Sequence, residues 1–300
     1  MLHDPLTPQA HSPAGNVADL RALVWSIGHL AARPPRSSTA RPAVQVTDPE
    51  PRPVEADPAK AVCYIDGCQA GRVLTYRQHR PVTLWWTAAA ALTPGCPGRA
   101  VALEETLALS CSFLDAEWAE SLDGGVEVRP VDAAYPWEVQ AATANLIDEQ
   151  RRSSERAICA AVPVSDGVVL VDGDLRNKTT RTDLVSCAKS FEGVLFWDEQ
   201  RNVFDLPAGW RSPILRLPPG RQVDGDRWTA YVRLFDASNQ DWSFGLIRIE
   251  TRDPALIDSV AALCLANRQP LGACSRENQL ASIEAVEAYL RARRPHLLTM

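Results

Sequence analysis

The chain has 300 residues, 46% of them hydrophobic and 23% charged, and its 31 Lys and Arg against 37 Asp and Glu give a formal net charge of -6. That size and apolar content suit one large domain or two small ones with a sizeable core, and the charge excludes a polybasic protein that holds nucleic acid by bulk electrostatics. No run approaches the roughly 20 apolar residues that span a bilayer, and the start Met1-Leu2-His3-Asp4-Pro5 lacks the basic and apolar segments of a secretion signal. A cytoplasmic protein with no membrane role is therefore expected.

The first sixty residues are proline-rich. Within them Asn16 to Ala32 carries Val17, Leu20, Leu23, Val24, Ile27 and Leu30 at helical spacing. This helix is expected to dock on its own or a sister core domain, or on a partner protein, rather than on a membrane. From Arg33 to about Pro58 the chain is turn-rich and extended with no core-forming periodicity, and we read it as a wandering or disordered, flexible connection. The organisation expected is thus residues 1–60 as helix plus connection and residues 61–300 as the main domain.

That domain opens with a strand, Ala61-Val62-Cys63-Tyr64-Ile65, expected to stop at Asp66-Gly67. A second strand is expected at Arg72 to Arg77 and a third at Pro81 to Ala90, the three forming an antiparallel meander. Helices are predicted over about Ala102 to Glu120 and about Pro136 to Ala160, the latter burying Val139, Ala142, Leu146, Ile147, Ile158 and Cys159. Gly167 to Val171 is an unbroken apolar run, as in a central strand covered on both faces. Further strands are predicted at Leu184 to Ser190, Ser212 to Leu217, Trp228 to Phe235 and Ser243 to Glu250. Helices at Pro254 to Ala266 and Asn278 to Arg293 close the chain. The fold class is α/β, a layered domain of mixed strand and helix. The eight cysteines are scattered without a CxxC pair, so reduced, mostly buried thiols are expected rather than a zinc site or disulfides.

Two apolar strands each deliver Asp-Gly: Tyr64-Ile65-Asp66-Gly67 and Leu170-Val171-Asp172-Gly173-Asp174. Asp-Gly makes a turn after a strand in many proteins. If the two strands are neighbours, however, the carboxylates converge and repel, and a cation with oxygen ligands, Mg²⁺ or Mn²⁺, would hold them. Such ions suit phosphodiester hydrolysis. Lys189, in Cys187-Ala188-Lys189-Ser190, ends another apolar strand, where it would meet a phosphate or offset the acidic pair, or simply face solvent. Arg176, Lys178 and Arg181 follow the second acidic motif and are candidates for tracking DNA. Arg151 with Arg152 reads better as a solvated helix face. Trp85, Trp86 and Trp228 could stack on bases, although Trp in strands is more often core.

In order and spacing these motifs resemble the NurA nucleases, over roughly Ala61 to Arg294. Tyr231-Val232-Arg233-Leu234, Phe244 to Glu250, and Glu277-Asn278-Gln279-Leu280 before a final amphipathic helix agree in kind. The resemblance implies a ribonuclease-H-like mixed sheet flanked by helices and manganese-dependent (or Mg²⁺-dependent) cleavage of DNA. It also implies a homodimer and a HerA-type hexameric ATPase partner in DNA end processing and repair. On the family's pattern Asp66 and Asp172 fall on metal-binding aspartates, with Asp174 accessory. The acidic residue expected on the helix before the second Asp-Gly is Glu155, with Glu149 as rival. Two departures stand out. Archaeal members place a Tyr and a His near the C-terminus where this chain offers Asn278, and the first motif continues here as Cys68-Gln69-Ala70. A catalytically silent adaptor or DNA-binding subunit of the same motor is the competing reading.

Overall fold

The computed structural model describes residues 45–58, 61–95, 99–122, 125–164, 166–173, 175, 181–189, 203–217, 225–237, 244–271 and 279–298. The helix expected at Asn16 to Ala32, and the candidates Asp174, Arg176, Lys178 and Asn278, lie outside these residues.

The described strands are β1 (Gln45–Asp48), β2 (Arg52–Pro53), β3 (Ala61–Arg77), β4 (Arg80–Leu92), β5 (Ala100–Ser110), β6 (Glu127–Val128), β7 (Val168–Asp172), β8 (Leu184–Ala188), β9 (Trp210–Arg211), β10 (Ile214–Leu217), β11 (Arg227–Arg233) and β12 (Leu246–Thr251). They join one sheet in the order β1-β10-β11-β12-β8-β7-β3-β4-β5-β6, with β9 pairing both β2 and β11. The centre, β3-β7-β8, is parallel, and antiparallel pairs flank it on both sides. The helices are α1 (Ala116–Glu120), α2 (Pro136–Ala161), α3 (Ile257–Ala266) and α4 (Ala281–Arg293). Helix α2 buries Val139, Ile147, Ile158 and Cys159. Ile257, Val260, Leu263, Ile283, Val286 and Leu290 of α3 and α4 join the core cluster of Tyr64, Leu170, Val185 and Ile247. The protein is a mixed α/β sheet flanked by helices, the layered class expected from its pattern.

Three local expectations are corrected. The strands expected at 61–65 and 72–77 are one strand, β3, which runs straight through Asp66-Gly67 with unbroken pairing to β4 from Tyr64↔Leu92 to Val73↔Thr83. The partner strand satisfies the backbone through this point, so no turn is needed; the turn comes at Gln78 and His79, which both take positive φ. The helix expected at Ala102 to Glu120 is mostly strand β5, paired with β4 from Leu92↔Ala100 to Thr83↔Ser110. Its Ala, Leu and Glu favour helix in isolation, and the ladder along β4 overrides that weak preference. Within the stretch read as a wandering or disordered connection, β1 and β2 are ordered strands that pair with β10 and β9. Trp85 and Trp86 are buried core residues, and the Trp85 indole donates to Ser110 Oγ at 2.8 Å. The six described cysteines are all free and buried, and no described helix is long and apolar enough to cross a membrane.

Candidate active site

Side chains alternate across a strand. On β3, Tyr64, Asp66 and Cys68 therefore share one face, while Ile65 and Gly67 share the other. The Tyr64 hydroxyl donates to Asn267 Oδ1 at the end of α3 at 3.1 Å, which sets the first face towards α3 and α4. The parallel pairing of β3 with β7 ends at Ile65↔Val171. The next residues on the two strands are Asp66 and Asp172, which brings the two carboxylates side by side on the α3/α4 face. Asp172 pairs with Cys187 on β8. Two residues beyond Cys187, Lys189 places its Nζ 3.2 Å from Asp172 Oδ2. The sheet thus joins Asp66, Asp172 and Lys189 from three adjacent parallel strands.

Asp66 is only 7% exposed. Burial, and then the neighbouring Asp172 charge, push its carboxyl well above the usual carboxylate range, against the opposing pull of Lys189 and of the Gly67 N–H, which donates to Asp66 Oδ1 at 2.7 Å. Burial alone would pull the Lys189 ammonium down, but Asp172 and Asp66 together raise it and keep it charged. The Cys68 thiol beside this pair is pushed up to about 12 by burial and then by Asp66, which excludes a thiolate nucleophile.

The raised Asp66 carboxyl has a consequence for stability. Well below the ordinary Asp value of about 3.9, at roughly pH 2–3, both folded and unfolded states carry the proton and almost no penalty arises. As pH rises, the unfolded chain loses its proton first, so the folded state is progressively penalised until its own carboxyl ionises. Asp66→Asn keeps the acceptor for Gly67 and removes the charge. It is expected to raise the melting temperature at neutral pH by roughly 2–4 °C, on the order of 1 kcal/mol, and the gain should shrink as pH falls and approach zero at roughly pH 2–3. Equal gains at both pH values would show that Asp66 is not the group held against ionisation.

Glu155 is 4% exposed but sits across the sheet. A Cβ built on Gly67 would lie 2.6 Å from Glu155 Oε1 and 2.9 Å from its Cγ, so α2 presses Glu155 onto the α2 face of β3 at the glycine. Its carboxylate is held by Arg151, which also bonds Asp148 at 2.9 Å. Its charge still reaches Asp66, as the weakest of the influences there. Among the described residues no group of three or more His, Cys, Asp and Glu side chains gathers to hold a metal. Strand alternation is the reason: consecutive residues Asp66 and Gly67 must face opposite ways. Glu149, the rival third carboxylate, is 63% exposed and paired with Arg156 at 2.8 Å, away from the pair.

Arg181 corrects another expectation. It accounts for the end of α2 rather than for a nucleic acid: its guanidinium donates to the carbonyls of Cys159 (2.8 Å), Val162 and Pro163 (3.1 Å), and it forms a fork with Asp183 at 2.9 and 2.6 Å. The last carbonyls of a helix need donors, and a cation suits the negative end of the helix dipole. Arg151 is likewise no solvated face but the partner of Glu155, whereas Arg152 is exposed and pairs with Asp148. Two residues on the face opposite the acidic pair escaped sequence reasoning, Gly67 as a contact glycine and Glu250 as a buried Glu held by arginines. The signal for Glu250 was a lone Glu ending an apolar strand.

The donor set fits a hard divalent ion in a limited form. Two crowded carboxylates with oxygen-only chemistry match Mg²⁺ or Mn²⁺, which is commonly held by one or two carboxylates with water and substrate phosphate completing the shell. No family model matches the chain, and no curated protein matches it. Among solved structures, it overlays on one described as "Crystal structure of NurA" with a TM-score of 0.29 and 8% identity, covering 95% of this chain and 94% of that one. Another, "Crystal structure of NurA with manganese", gives 0.28 and 9%, covering 93% and 96%. Overlays of that quality carry no argument, and the functional reading rests on the residues of the site.

Proposed function

We propose that the protein is a divalent-metal-dependent deoxyribonuclease with a ribonuclease-H-like arrangement of carboxylates. The observation that supports this is the in-register placement of Asp66 and Asp172 on adjacent parallel strands, with Asp66 buried and pushed towards its neutral form. A buried Asp66 carboxyl that resists ionisation on its own, beside the Asp172 carboxylate, is matched by a cation that would stabilise both charges. Asp66 and Asp172 would hold Mn²⁺ or Mg²⁺, and the ion would supply an activated water and offset charge building on the phosphate. Lys189, charged and beside Asp172, would meet a non-bridging phosphate oxygen and steady the growing negative charge; its pairing with Asp172 supports this role. Glu155, on the opposite face, acts as packing and as a distant charge rather than as a third ligand. DNA as substrate, a homodimer and a HerA-type hexameric ATPase belong to this same reading.

A second reading, a catalytically silent subunit of such a motor complex, is favoured by one observation: Lys189 and Arg151 already neutralise Asp172 and Glu155. Purified protein with linear and single-stranded DNA, with Mn²⁺, Mg²⁺ or chelator, separates the two. The nuclease reading expects cleavage with the ions and an ion-dependent rise in melting temperature; no cleavage and no rise would leave the silent subunit.

Lys189→Ala supplies a finer test. It is expected to lower the cleavage rate by about 10²-fold, as for removal of a transition-state donor, while the melting response to Mn²⁺ is kept or enlarged, since the acidic pair loses its competing cation. Loss of the Mn²⁺ response in this variant would instead make Lys189 part of the ion site's framework.

A further inference from the structure

A buried Glu outside the acidic pair contacts the chain just past β7. Glu250 on β12 is 1% exposed. It lies opposite Ser186 on β8, which in turn lies opposite Val171 on β7, so it occupies the row beside the one holding Asp172 and faces the α2 side. Its Oε2 accepts the backbone N–H of Leu175 at 3.3 Å and Nη1 of Arg227 at 2.9 Å, and its Oε1 is 3.0 Å from Nη2 of Arg248. Leu175 is fully buried among Ile65, Val171 and Leu184. Just past Asp172, Gly173 takes a φ of 87°, open to glycine, and its N–H donates to the Cys187 carbonyl at 2.9 Å.

Stability alone gives this cluster no clear advantage. A buried ion group is often no more stabilising than a well-packed apolar replacement, because removing charges from water offsets their attraction. What an apolar residue could not do is accept the Leu175 N–H. Arg227 and Arg248 both contact the Glu250 carboxyl group, and its Oε2 secures an amide three residues beyond Asp172. The chain just past β7 is thus held by two bonds, from the Gly173 N–H to the β8 backbone and from the Leu175 N–H to Glu250.

We propose that Glu250 is a positioning residue: by holding the Leu175 N–H it fixes the chain just past β7 and so keeps the Asp172 carboxylate beside Asp66. The proposal rests on the reading of Asp172 as an ion ligand. Glu250→Gln keeps an acceptor oxygen but loses the charge; Glu250→Ala loses both, and if it fails to fold the Gln variant decides. Asp258→Asn is the control: it removes a half-exposed carboxylate from the buried Arg211 on β9, a strand that pairs with β11 and β2 and not with β7 or β8. Two measurements on the full chain are compared: Mn²⁺ affinity by calorimetric titration, and amide hydrogen exchange at β7 and Leu175 without metal. The expected result for Glu250→Gln is a 10–100-fold loss of Mn²⁺ affinity and exchange at Leu175 that quickens more than at β3. Asp258→Asn should show neither effect. Unchanged Mn²⁺ affinity in a wild type that binds the ion, or exchange at Leu175 that quickens only in step with β3 and with the control, overturns the proposal. A wild type that binds no Mn²⁺ while Glu250→Gln still loosens Leu175 selectively sinks the ion reading and leaves the positioning role supported.

Discussion

Asp172→Asn is expected to abolish metal-dependent cleavage, by 10³-fold or more, with the protein still folded. Asparagine keeps the size and one acceptor oxygen of aspartate but removes the charge that holds a hard cation, and the neighbouring Asp66 cannot hold it alone. If metal-assisted hydrolysis is the mechanism, what is lost is both the activated water and the charge that offsets the phosphate, contributions that are each worth several kcal/mol. Asp66→Asn is expected to do the same to cleavage. The two variants differ in stability, because their neighbours differ. Removing the Asp66 charge relieves a buried carboxylate pushed towards neutrality, whereas removing the Asp172 charge leaves the Lys189 ammonium without its carboxylate. Melting without metal should therefore rise for Asp66→Asn and fall by a few degrees for Asp172→Asn. Cleavage and melting measured side by side check this, and retained Mn²⁺-dependent cleavage in either variant would remove that residue from the site.

Gly67→Ala carries the second large effect, and it acts through packing. The added methyl would lie within 2.6 Å of Glu155 Oε1, 2.9 Å of its Cγ and 3.2 Å of Arg151 Cγ. Glu155 is buried against the sheet and held by Arg151, so it cannot swing aside without breaking that pair or lifting α2. Overpacking of this kind costs about 1–3 kcal/mol. Gly71, four residues along the same face of β3, is the internal control: a methyl there meets nothing nearer than 3.5 Å, so Gly71→Ala should be neutral or slightly stabilising. Adding Glu155→Ala to Gly67→Ala should restore most of the lost stability, since residues in contact are not additive. Denaturant melts of the four proteins suffice. A Gly67→Ala protein as stable as Gly71→Ala would mean that α2 does not press on β3 at this point.

These two glycine positions show why the site was only partly legible. The Asp-Gly at Asp66 suggested a turn because Asp and Gly are turn formers wherever the backbone lacks a partner. Here β4 supplies the partner, and the glycine serves the approach of a helix side chain some ninety residues away in sequence. Likewise Arg181, a few residues past an acidic motif, resembled a phosphate contact; nothing local says that the carbonyls ending α2 lie within its reach. Glu155 was picked out on the right helix, but its face relative to Asp66 depends on which side of the sheet that helix covers. Helical periodicity gives a buried stripe and does not give that side.

By itself the sequence determined what depends on neighbours a few residues apart. The apolar run of β7 ending at Asp172, the 26-residue amphipathic helix α2, the strands β8, β11 and β12 and the two C-terminal helices all follow from local period and composition. So does the layered α/β class, since strands buried on both faces require helices above and below. Only the tertiary structure decided what depends on pairing across the chain: that β3 and β7 are adjacent and in register so that Asp66 meets Asp172, that β5 is a strand, and that Glu155 and the acidic pair occupy opposite faces. The physical reason is one of range. Periodicity reports which side of an element is buried, whereas register and layer are set by hydrogen bonds and packing between segments that a local pattern never compares.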